Sequence, residues 1–274
     1  MPDFRHILLV ACWYGAGSAS GFAGVVSTSL CADSYVQAIA DPADIQALSW
    51  QADGPLSRAA PNLRQLPKAR ANAEILLTLA PSHVVLGPGD SAAATNLSQT
   101  RGAKVFALNW QDDFAGVSEN LLALGGFLQR QIIAQALIHD QQARLQALAQ
   151  RSKARTKPAQ VLYLTPTLGT AGAGTFIDAV ILAAGGENLA TKMGIAGWGQ
   201  VPLEVLLAQQ PDLIITSFFK HGPPSVLQFR ANHSLVKAVL KRTPQIQVSG
   251  GLWVCAGPLL IVAAEKIADE LDAL

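Results

Sequence analysis

Few side chains of this 274-residue chain stand at spacings that do chemistry. His83, His139, His221 and His233 show neither His-x-x-His nor His-Glu-x-x-His spacing, so no two of them are set as metal ligands on one helix face. Ser234-Leu-Val-Lys237 has the spacing of a nucleophilic serine and its lysine but lacks every companion motif. Gly172-Ala-Gly-Thr-Phe-Ile lacks the last glycine of a dinucleotide fingerprint, and no GxxxxGK[ST] phosphate loop occurs. No catalytic residue, metal site or cofactor of its own is therefore assigned.

What remains is recognition chemistry. Trp50, Trp110, Trp198 and Trp253 offer flat apolar faces on which a ring can stack while water is excluded. The counts of 20 Lys and Arg against 19 Asp and Glu leave a net charge of +1, which exerts no long-range pull on nucleic acid or an anionic membrane. With 50% of residues hydrophobic and 14% charged, the chain reads as a packed globular protein with little room for disorder.

Those residues must be positioned by elements that the sequence writes twice. "AEILLTLAPSHVVLG" from Ala73 and "LEVLLAQQPDLIIT" from Leu203 align with Glu74 on Glu204, two Leu on two Leu and Pro81 on Pro211. In each copy a helical period stops at the proline and a short apolar strand follows. Around the copies, strand-like runs ("VVSTSL", "IQALSW", "AKVFALN", then "QVLYLT", "PDLIIT", "QIQVSG") alternate with helical ones, the pattern of parallel sheets covered on both faces. The segment "TFIDAVILAAGG" reads as a helix stopped at Gly185 and Gly186, and "GPLLIVAAEKIADELDAL" as a terminal helix.

Between the two halves, "RQIIAQALIHDQQARLQALAQRSKA" keeps apolar residues at three- and four-residue intervals, which predicts one helix of about 25 residues and roughly 37 Å. The expected fold is α/β, with two Rossmann-like lobes of parallel sheet joined by that backbone helix. Its expected boundaries are a leader over 1–23, an N-terminal lobe over 24–117, a connecting helical segment over 118–156 and a C-terminal lobe over 157–274.

The leader is expected from "ILLVACWYGAGSASGFA", a short apolar run ending in small residues, with cleavage after Ala19 or Ala23 and export to the periplasm. "LVAC" ending at Cys12 also matches a lipid-attachment box, but the apolar stretch before it is short, so a cleaved leader is the expectation. A mature chain would keep Cys31 and Cys255, either as one disulfide or as two separate buried thiols.

In the order and spacing of "VVSTSLCADSYVQAIA", "AEILLTLAPSHVVLG", "GTFIDAVILAAGGENLA", "WGQVPLEVLLAQQPDLII" and "LWVCAGPLLIVAAEKIA", the chain resembles the periplasmic substrate-binding proteins of ABC importers for cobalamin, haem and ferric siderophores. The resemblance implies a monomeric, non-enzymatic carrier that delivers a metal chelate to a permease dimer, with Glu74 and Glu204 as acidic feet that meet permease arginines. It places the ligand between the lobes, near Leu30, Cys31, Trp50, Gln51, Gly87, Pro88, Gly89, Trp110, Thr167, Trp198, Phe218, Phe219 and Trp253. Trp198 and Trp253 are expected to be the least core-like of these.

A ferric siderophore would call on cleft cations, for which Arg58, Lys220 and Arg230 are the candidates, and haem iron on Tyr35, Tyr163 or His221. An uncharged corrinoid needs neither and is favoured. The competing readings are a tetrapyrrole metal chelatase-like enzyme, which would pair His with Glu in the cleft, and a receptor for free Zn or Mn, which would converge several His and carboxylate ligands.

Overall fold

The computed structural model describes residues 24–217 and 233–274. The expected leader lies outside the described residues, as do Phe218, Phe219, Lys220, His221 and Arg230.

Strands β1 (Val25–Ser27), β2 (Ile45–Ser49), β3 (Lys68–Ala69), β4 (His83–Leu86) and β5 (Lys104–Ala107) form a five-stranded parallel sheet in the order β3-β2-β1-β4-β5. The order reverses between β1 and β4, which opens a crevice at their carboxyl ends. Both strands are buried throughout, as β-branched runs covered on two faces must be. Helix α1 (Leu30–Ile39) starts where the Ser29 hydroxyl accepts from the Ala32 amide, and α2 (Ala73–Leu79) where Asn72 accepts from the Ile75 amide. A short α3 (Asn96–Thr100) precedes β5.

Two helices follow, and the expected run over 130–154 corresponds to the second. Helix α4 (Phe114–Phe127) ends before Gln129, whose φ of 55° turns the chain, and α5 (Gln131–Ser152) runs for 22 residues, about 33 Å. A Cβ at Gly125 would stand 2.5 Å from that of Ala134, so the glycine is what lets the two helices close into a hairpin. Gln141 Nε2 donates to the Phe114 carbonyl at 2.9 Å and to Ser118 Oγ at 3.0 Å, pinning α5 to α4.

The second half supplies β6 (Ala159–Leu164), β7 (Gly169–Ala171), β8 (Gly186–Asn188), β9 (Trp198–Gln200), β10 (Leu213–Thr216) and β11 (Gln245–Gln247). Four of them make a parallel sheet, β11-β10-β6-β8, while β7 and β9 pair as an antiparallel ribbon. Helices α6 (Phe176–Ala183), α7 (Leu189–Lys192), α8 (Leu203–Ala208), α9 (Ser234–Arg242) and α10 (Leu260–Asp272) complete it. Gly185, at φ 80°, follows α6 as its left-handed stop, while Gly186 already belongs to β8.

The repeat seen in the sequence is a structural one: α2 leads into β4 and α8 into β10. Leu76 and Leu206, two residues after each glutamate, are fully buried, and both strands are buried along all four residues. One apolar cluster, including Val85, Leu121, Leu124, Val161, Ile215 and Ala264, runs from one sheet to the other beneath α1, α4, α5 and α10. Smaller clusters around Leu76 and around Leu206 seal the outer faces. The C-terminal half of α5 and the turn after it are bolted to α10 by Arg144 with Glu265, Arg151 with Asp269 and Asp272, and Arg155 with Asp272. So α5 grips both halves. No helix among the described residues is long and apolar enough to cross a membrane.

Candidate functional site

All strands of a parallel sheet release the chain at one edge, and here the two carboxyl edges are joined. Cys31, in the first turn of α1 after β1, is disulfide-bonded to Cys255, in the turn after β11, with Cα atoms 5.4 Å apart. One helical turn on, the buried Tyr35 hydroxyl donates to the Ala256 carbonyl at 2.9 Å. The two thiols are thus one bridge, the first of the two alternatives left open by the sequence.

Behind this junction a buried polar group fixes the start of α1. Asp33 accepts from the Ser49 amide at 2.8 Å and its hydroxyl at 2.6 Å, and from the Ser27 hydroxyl. Burial raises its carboxyl above the ordinary value, and the three hydrogen bonds hold the charge in part against that loss of water. It lies under β1 and β2 and is committed to the frame. Gln51 is committed too, because its Oε1 accepts from the Leu30 amide at 3.0 Å and helps cap α1. Leu30 itself is buried.

The loop after β4 is built by Asp90, which sequence reasoning passed over although it closes the Gly87-Pro-Gly-Asp turn. Its carboxylate accepts from Thr28 Oγ1 at 2.6 Å and from the Gly87 amide at 2.9 Å, so it fastens this loop to the one after β1. Any Cβ at Gly87 would lie 1.9 Å from Ser29 Oγ, which makes glycine obligatory there. Gly89, at φ 84°, is exposed beside Trp110.

Three tryptophans face solvent at these edges. Trp110 is 71% exposed, Trp198 58% and Trp50 51%. Trp50 follows β2 and carries the Arg70 guanidinium 4.2 Å over its ring. Arg70 is a cleft-edge cation that the sequence did not single out, since β3, which delivers it, is only two residues long. Trp198 sits on β9 and is propped edge-on by Phe176 at 5.5 Å and Tyr163 at 6.3 Å. Thr167 lies in the turn from β6 to β7, its hydroxyl 3.0 Å from that of Thr165.

Trp253 corrects the expectation that it is among the least core-like. Only 2% exposed, it packs edge-on to Tyr163 at 5.6 Å inside the main cluster. Its glycine-rich flank reflects a tight turn over the core, not a cleft wall. Two of the three haem-ligand candidates are corrected likewise, and the third, His221, lies outside the described residues. Tyr35 and Tyr163 are buried, and burial raises both hydroxyls, Tyr163 to about 12, so neither presents a phenolate. His83 starts β4 at the amino edge, buried against Phe127 with centroids 5.2 Å apart, where burial and then Lys104 lower its pKa. No group of three or more His, Cys, Asp or Glu that could hold a metal ion occurs among the described residues.

Glu74 and Glu204 are both exposed in the first turns of α2 and α8. α2 follows β3 and leads into β4, and α8 follows β9 and leads into β10, so the two glutamates occupy corresponding places ahead of corresponding strands. Arg58 flanks the junction instead, near Gly251.

Comparison with known proteins adds the following. A family model described as "Periplasmic binding protein" matches residues 46–245. Cobalamin-binding proteins of two Halobacterium salinarum strains are each 30% identical over 155 residues, which is 54% of this chain and 41% of theirs. The chain thus matches about two fifths of the length of these relatives. The periplasmic haem-binding protein HutB of Vibrio cholerae superposes with a TM-score of 0.73 at 23% identity, over 90% of this chain and 98% of that one. A periplasmic haem-binding protein of Pseudomonas aeruginosa gives 0.71 at 22%, over 90% and 92%. The vitamin B12-binding protein BtuF of Vibrio cholerae gives 0.65 at 21%, over 91% and 96%. At these identities the likeness is one of fold.

Proposed function

Since the chain belongs to the periplasmic binding protein family, we propose that it is the carrier of an ABC importer and that its cargo is a corrinoid held between the two carboxyl edges. The observation that supports this reading most is the set of exposed tryptophans, Trp50 and Trp110 on one side and Trp198 on the other. Large aromatic surfaces left in water at a cleft are costly unless a ligand covers them. A corrinoid supplies a broad face with its metal already chelated. It asks for no protein ligand, which agrees with the burial of Tyr35 and Tyr163. The cobalamin-binding relatives point the same way. Haem is the second reading, favoured by the named cargo of HutB.

In this proposal the chain acts as a monomer without catalysing a reaction, and reaches the periplasm by a cleaved leader. Its lobes are 24–117 and 157–274, joined through 118–156. Glu74 and Glu204 dock one lobe each on the permease dimer, where an exposed carboxylate pairs with arginine at small desolvation cost.

Tryptophan fluorescence titrations of the folded protein with cyanocobalamin, haemin and ferric siderophores test the cargo. Saturable quenching by cyanocobalamin alone is expected. Quenching by haemin alone would replace the corrinoid with haem, and no quenching by any of them would end the carrier reading.

A further inference from the structure

We infer that the Cys31–Cys255 bridge is a strap that sets the width of the cleft, holding Trp50 and Trp110 at a fixed distance from Trp198. It joins residues 224 positions apart across the two carboxyl edges. The strap does not act alone. The Tyr35 hydroxyl on the Ala256 carbonyl ties the same two segments without sulfur.

Two glycines along this seam leave no room for a side chain. A Cβ at Gly257 would lie 2.8 Å from Ser34 Oγ, and one at Gly251 only 2.4 Å from the Leu56 carbonyl oxygen. Cys255 and Ala256 hold φ of 66° and 43°, a left-handed pair of non-glycine residues that persists only where surrounding contacts impose it. The two carboxyl edges are thereby held together along this seam.

A second line of attachment runs behind it. Helix α5 is fastened to α4 through Gln141 and to α10 through Arg144 and Arg151, with Arg155 just beyond its end adding a further tie. One line of attachment leaves a hinge axis, whereas two separate lines do not. The bridge therefore converts a hinged pair of lobes into a preformed jaw, and a preformed site binds with less ordering cost and releases its ligand slowly. The consequence for the ligand rests on the carrier reading above, but that for lobe separation does not.

Single-molecule energy transfer between maleimide-linked dyes on Thr78→Cys in α2 and Ala208→Cys in α8 tests the strap. Both are exposed positions that correspond in the repeat. In the bridged protein a single narrow distribution is expected. In Cys31→Ser/Cys255→Ser it should broaden, and in Tyr35→Phe, with the bridge intact, it should stay narrow. Should the serine variant fail to fold, a dithiol opens the bridge in the labelled wild type, the disulfide becoming two thiols as the dithiol closes to its own disulfide.

Stopped-flow release of cyanocobalamin should be roughly tenfold faster without the bridge. Identical distributions with and without the bridge overturn the inference, even if release changes. Broadening without any cyanocobalamin binding sustains the strap and removes the corrinoid.

Discussion

The two sheets share one construction and differ in what they do with it. In each, a short helix with a glutamate in its first turn leads past a buried proline into a fully buried central strand, β4 or β10. The surroundings of the two motifs differ. In the first half the Gly87-Pro-Gly-Asp90 turn follows β4 and Trp110 follows β5, whereas in the second the β7–β9 ribbon, which carries Trp198, comes ahead of α8. The repeated part suits a task that is the same on both sides, as the proposed docking to a permease dimer would be. The divergent part suits a ligand whose two faces differ.

That contrast can be broken at several points. The largest effect is expected at Trp253, which lies in the core although the sequence suggests a cleft residue: Trp253→Ala should cost about 3–5 kcal/mol of stability in chemical denaturation. Glu74→Ala together with Glu204→Ala should remove roughly 2 kcal/mol or more of permease docking, seen as lost uptake with unchanged ligand affinity. A fall in affinity instead would place the repeated glutamates in the ligand site.

Asp33 gives a pH test. Burial raises its carboxyl, so the folded protein keeps that proton to higher pH than the unfolded chain does. Its contribution to stability is therefore present in acid and lost as pH climbs from the ordinary 3.8 through the raised value. Asp33→Asn should flatten this decline in urea titrations across the acid range, whereas an unaltered slope would refute the burial account. The smallest effects belong to the α5–α10 arginines. Arg151→Ala should cost about 0.2–1 kcal/mol and fade in high salt, as expected of a half-exposed pair.

How much of this was written in the sequence follows from range. The buried strands and the repeat show because local apolar period and burial coincide at Val84, Val85, Ile214 and Ile215. Helix α5 was legible in type, and the expected run over 130–154 exceeds it by one residue at the start and two at the end, where Lys153 and Ala154 carry the same polar and small pattern past Ser152. β3 and the β7–β9 ribbon escaped because strands of two or three residues are held by partners far along the chain, not by their own pattern. For the same reason Trp198 and Trp253, alike in their local flanks, ended on opposite sides of the surface. The pairing of Cys31 with Cys255 is likewise a property of the two meeting edges, and so is the role of Asp90, whose partner Thr28 comes from another strand end.

The central claim, that the cleft-edge tryptophans are a cargo platform, is tested most directly by calorimetric titration of cyanocobalamin into wild type and Trp198→Ala. The platform predicts saturable binding that weakens by about 1–3 kcal/mol in the variant while its unfolding is little changed. Equal affinity in both proteins would contradict it.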